Sequence, residues 1–200
     1  MLSQLSRGCT TLVAGALVGG MLATTPVIAK ERLVRLDAVL AQGGEPVYDA
    51  VKLDVWQLKN GQPVARMAER HAAPAEVELD PGRYRVEAVY GNARRVTDIT
   101  VPATGDTRTV INLRAGRVSL NALPNIDGAP IPHAVSWEIR RYRRGSAPGR
   151  KVADTADEHP AFWLSEGWYE VVVKHRDRSA RHVVEVAAGQ NFDYAIVLAE

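Results

Sequence analysis

From residue 32 onward, apolar side chains recur at every second position in short runs separated by Gly, Pro, Asn and Asp. Such a pattern predicts strands with one buried face. Seven runs lie near 32–40, 51–58, 64–70, 75–79, 83–90, 94–101 and 107–114. Seven more lie near 116–123, 135–142, 150–154, 160–164, 168–175, 179–186 and 191–198. Helical spacing is absent from this part of the chain.

The second set repeats the first. With 32–115 set over 116–200, at an offset of 84 early and 85 later, Val34, Leu36 and Ala38 fall on Val118, Leu120 and Ala122. Val51, Leu53 and Val55 fall on Val135, Trp137 and Ile139, and Ile111 and Leu113 on Ile196 and Leu198. The matched positions keep the two-residue phase, so a strand pattern is duplicated and not merely a composition. The strongest match is Leu79-Asp80-Pro81-Gly82-Arg83-Tyr84-Arg85-Val86 against Leu164-Ser165-Glu166-Gly167-Trp168-Tyr169-Glu170-Val171. In each, a leucine closes one run, a glycine turns the chain and a tyrosine opens the next run, which is how a β-sandwich corner is written.

The pattern Leu-x-x-Gly-x-Tyr-x-Val, followed by a charged hairpin, an apolar strand ending in Val101 or Val186, a glycine and a last strand, resembles the carboxypeptidase-regulatory-like or prealbumin-like (transthyretin-like) domains found in tandem in exported bacterial proteins. The resemblance spans 32–200 and implies seven-stranded, immunoglobulin-like sandwiches serving as spacers, stabilisers or docking modules, without catalysis of their own. The expected fold is therefore all-β: a signal peptide over 1–29, one β-sandwich over 30–115 and a second over 116–200. The join near Gly116 is short, which predicts a fixed angle between the two sandwiches.

Residues 1–29 are unlike the rest. Arg7 is their one charge, Leu12 to Ala23 is a short apolar run, and Val27-Ile28-Ala29 offers a cleavage site, so the stretch reads as a secretory signal and implies a periplasmic or secreted protein. No later stretch approaches the length of a membrane-spanning helix. Cys9 lies within the signal and is the single cysteine, so disulfides, thiol catalysis and cysteine-based metal sites are excluded from the mature chain. After cleavage, 24 basic side chains face 23 acidic ones, a balance that gives no reason to expect nucleic acid as a partner.

Candidate chemistry comes from differences between the copies. Arg140, Arg141, Arg143, Arg144, Arg150 and Lys151 cluster around Gly145-Ser146-Ala147-Pro148-Gly149, with Tyr142 among them, where copy one has Gln57 to Pro63. Such a patch fits an anionic partner, unless Asp154, Asp157 and Glu158 neutralise it as exposed ion pairs. Trp163 and Trp168 occupy outward positions on either side of Ser165-Glu166-Gly167, where copy one carries Glu78 and Arg83. Exposing two indoles is unfavourable, which predicts a cover: copy one or the arginine loop, a partner protein, or a stacked sugar. Trp137, aligned with Leu53, is expected in the core.

His175 and His182 share the inward phase of neighbouring strands and are weak metal candidates; Asp177 and His159 are the nearest further ligands, neither at a recognised spacing. No nucleophile elbow, phosphate loop, dinucleotide fingerprint or zinc-protease motif occurs. The expectation is a non-enzymatic envelope protein without cofactor that binds a partner protein through its second sandwich. A polysaccharide-binding module is the alternative, and a histidine metal site the third reading.

Overall fold

A computed structural model describes residues 31–48, 50–133 and 135–198; the signal expected over 1–29 lies outside them. Among the described residues there are fourteen strands and no helix, and so no helix long and apolar enough to cross a membrane. The first seven are β1 (Arg32–Val39), β2 (Val51–Lys59), β3 (Gln62–Arg70), β4 (Ala75–Leu79), β5 (Gly82–Tyr90), β6 (Ala93–Val101) and β7 (Thr107–Asn112). The second seven are β8 (Ala115–Leu123), β9 (Val135–Arg141), β10 (Lys151–Thr155), β11 (Ala161–Ser165), β12 (Gly167–His175), β13 (Arg178–Val186) and β14 (Asn191–Val197).

In the first set, a three-stranded sheet ordered β4-β1-β7 faces a four-stranded sheet ordered β3-β2-β5-β6. The second set repeats this as β11-β8-β14 and β10-β9-β12-β13. In both, the first and last strands run parallel, β1 with β7 and β8 with β14, and the other pairings are antiparallel. The tandem seven-stranded β-sandwich architecture implied by the sequence is the architecture of the molecule. Alternation is carried through to burial: along β12, Tyr169, Val171 and Val173 are fully buried while the residues between them are not. Each sandwich encloses its own core, one around Leu36, Leu53, Tyr84 and Ile111, the other around Leu120, Trp137, Tyr169 and Ile196. Trp137 is 2% exposed, and its indole N–H donates to the Asp157 carbonyl at 3.1 Å.

The repeated octapeptide is the crossing between sheets. Tyr84 donates its hydroxyl to the Asp80 carbonyl at 2.8 Å and Tyr169 to the Ser165 carbonyl at 2.6 Å, four residues upstream in each case. A buried phenol thereby satisfies a corner carbonyl that no ladder reaches. The join between the sets is also tied down. Leu113 N–H donates to Val39 O at 2.8 Å and Ala115 N–H to Leu40 O at 2.9 Å. From the other side, Glu166 N–H donates to Arg114 O at 2.7 Å, and the two side chains form an ion pair.

Candidate functional site

Trp163 and Trp168 do not form one patch. The corner at 165–167 carries the chain from the three-stranded to the four-stranded sheet of the second sandwich, so Trp163 on β11 and Trp168 on β12 point outward from opposite faces. Proximity in sequence suggested neighbours across the turn, but a corner that changes sheets separates them. Glu78 on β4 and Arg83 on β5 are divided in the same way.

Trp163 is half-buried against the first sandwich. Its ring lies 5.1 Å from that of Tyr90, tilted by 46°, and its carbonyl accepts the Asn92 N–H at 3.0 Å. Ser165 Oγ accepts the Arg94 N–H at 3.2 Å, extending the contact along the β6 end of the hairpin. Gly91 makes the approach possible: its φ is +56°, and a Cβ there would stand 3.0 Å from the Trp163 Cβ.

Trp168 stays at the surface, 50% exposed, beside Val183, which is 43% exposed. Its backbone fixes the arginine loop, since the Tyr142 N–H donates to Trp168 O at 2.9 Å and the Arg141 N–H to Arg150 O at 3.0 Å. A turn follows in which Ser146 N–H donates to Arg143 O at 3.1 Å, with Gly145 at φ +73°. A left-handed third residue of that kind favours glycine. Between loop and sheet lies an open groove of about 630 Å³ lined by Tyr142, Arg143, Arg144, Trp168 and Val183. A second groove of about 430 Å³ on the other side of the loop shares Arg143 and adds Arg141 and Arg150.

The arginines divide into two groups. Arg140 pairs with Glu138, and Arg141 lies 4.5 Å over the Tyr169 ring while donating to Glu166 O at 3.2 Å. These two are structural. Arg143, Arg144 and Arg150 are exposed, and no side-chain ion pair or hydrogen bond holds them among the described residues. Of the acids that follow in sequence, Asp154 pairs with Lys151, itself a member of the cluster, at 3.0 Å, and Glu158 with His133 at 2.5 Å. The neutralisation considered from sequence therefore forms at Lys151, through Asp154, and not at Arg143, Arg144 or Arg150.

His175 stands opposite Arg178, and His182 opposite Val171, four register positions away along the same hairpin. His182 keeps the inward phase but is exposed, because β13 is the edge strand of its sheet. That separation is about 13 Å at strand rise, too far for shared ligation. Among the described residues no group of three or more His, Cys, Asp or Glu could hold a metal.

No protein-family model matches the chain. A stretch of 70 residues is 33% identical to the ribosomal RNA small subunit methyltransferase G of Deinococcus radiodurans, covering 35% of this chain and 28% of that protein. Among solved structures, the chain is similar to the minor pilin GBS52 of Streptococcus agalactiae at 13% identity and TM-score 0.44, covering 84% of this chain and 96% of that one. It is similar to a Bacteroides thetaiotaomicron protein described as polysaccharide-binding at 12% identity and TM-score 0.45, covering 86% and 92%. Against the Bacillus anthracis TIE protein the identity is 12% and the TM-score 0.36, and 86% of this chain spans 35% of that one.

Proposed function

We propose that this is a non-enzymatic, exported docking protein of the bacterial envelope, whose second sandwich binds a partner protein through Trp168, Tyr142, Arg143 and Arg144. The observation that carries the reading is a half-exposed indole beside arginines that have no side-chain partner among the described residues. Tryptophan, tyrosine and arginine dominate binding energy at protein interfaces, because they combine large contact area with directional polar groups. Export rests on the apolar stretch at 12–23 and the small residues ending at Ala29.

A sugar platform is the rival from another class. It needs side-chain amides and carboxylates around the ring to bond hydroxyls, and the five residues lining the groove include none. The test is chemical crosslinking of the full chain in its native envelope, comparing the unaltered protein with Trp168→Ala and, separately, Trp163→Ala. Loss of a specific adduct in the first variant alone supports docking at Trp168. Equal adducts in all three proteins would reject it.

A further inference from the structure

The first sandwich supplies an internal comparison for the charges. On the outer face of its four-stranded sheet, Lys52, Arg66, Arg85 and Arg94 each meet a carboxylate, with Asp54, Glu69, Asp98 and Glu87 as partners. That is what a merely solvated face of this fold looks like. On the matched face of the second sandwich Glu138 is taken by Arg140 and Glu170 by Arg181, while Glu185 stands exposed. Arg143, Arg144 and Arg150 remain as three exposed guanidiniums on one short loop, with no carboxylate partner among the described residues. Like charges so gathered repel unless an anion joins them, and guanidinium forks match carboxylates with two parallel hydrogen bonds.

The apolar part of the site has a fixed position relative to those charges. Trp168 and Val183 lie on adjacent strands at the sheet side of the groove, while Arg143 and Arg144 line its loop side. Glu185, directly opposite Trp168 in register and exposed, repels anions from the β13 side. A ligand is thus oriented, with anionic groups over the loop and an apolar side chain over the indole.

We infer that the occupant of this groove is an acidic segment of the partner protein, which sets carboxylates against Arg143 and Arg144 and one apolar side chain against Trp168 and Val183. The inference rests on the docking function proposed above and names the chemistry of the partner. A peptide is favoured over an acidic polysaccharide because Val183 extends the indole with aliphatic surface and offers nothing to a sugar hydroxyl.

The experiment is fluorescence anisotropy with the full chain and two dye-labelled decapeptides, one alternating glutamate and leucine, the other glutamine and leucine, with polygalacturonate as competitor. The acidic peptide is expected to bind at least about tenfold more tightly than the neutral one. Arg143→Gln/Arg144→Gln should abolish that margin, and rising salt should narrow it. Both arginines are exposed, so coincident thermal melts will establish that the variant is folded. Equal affinity for the two peptides, or a margin untouched by the double substitution, overturns the acidic partner. If both peptides bind equally and both are lost in Trp168→Ala, docking at the indole survives and only the acidic chemistry fails. Polygalacturonate binding more tightly than the peptide, with the same arginine dependence, overturns the protein partner in favour of a glycan. Binding of neither peptide overturns the inference outright.

Discussion

Tyr84 and Tyr169 show how little sequence is needed to fix a corner. Each phenol is buried and reaches back four residues to a carbonyl, and burial pushes both hydroxyls above their ordinary pKa, with the Arg141 charge partly opposing this at Tyr169. Tyr84→Phe or Tyr169→Phe removes one hydrogen bond while leaving the ring packed, and should cost about 1 kcal/mol, measured by urea denaturation. Asp37 is a different kind of residue. Burial alone would raise its carboxyl, but hydrogen bonds and charge from Arg108 and Arg35 outweigh that and hold it below the ordinary value of 3.8. A depressed carboxyl contributes its full stabilisation above the unfolded pKa and loses it as pH falls through the folded one. Stability should therefore decline below about pH 4, and Asp37→Asn should lower the urea midpoint at neutral pH while reducing its fall between about pH 5 and pH 2. Copy two has Asn121 at this place, bonded to His159 at 2.7 Å, so the charged arrangement belongs to one sandwich only.

At the scale of elements, the alternating pattern located every strand to within one or two residues, because burial on one face dictates a period of two. The largest discrepancies are two residues each: β7 ends at Asn112 and not at 114, and β3 begins at Gln62 and not at 64, since its first six residues are exposed and carry no alternation. The sequence also identified which side of a strand each tryptophan takes. It could not say what lies opposite that side: Trp163 and Trp168 share an outward phase, and the sheet change at 165–167 sends one to the first sandwich and the other to solvent. Ion pairing was equally illegible, because the acids nearest in sequence to Arg143 and Arg144, Glu138 and Asp154, are taken by Arg140 and Lys151. Trp163→Ala should separate the two roles. Losing a half-buried indole and its contact with Tyr90 should cost about 2 kcal/mol in thermal or urea unfolding, and the peptide affinity of the Trp168 groove should be unchanged.

The whole molecule is a duplicated scaffold in which one copy has diverged. The backbone contacts from Asn92, Arg94, Arg114 and Ala115 tie the two sandwiches at their junction, and the groove beside Trp168 opens on the outer face of the four-stranded sheet of the second one. Copy one presents a corresponding outer face on which Lys52, Arg66, Arg85 and Arg94 are paired with carboxylates, and Val96 on it is exposed to the same 43% as Val183. That pair gives a control within a single chain. A photo-crosslinking residue placed at 183 and, in a second protein, at 96 would be irradiated in the native envelope, with and without Arg143→Gln/Arg144→Gln. The account predicts a discrete polypeptide adduct from position 183 that disappears with the double substitution, and none from position 96. Adducts of equal yield from both positions, or an adduct at 183 indifferent to the two arginines, would contradict it.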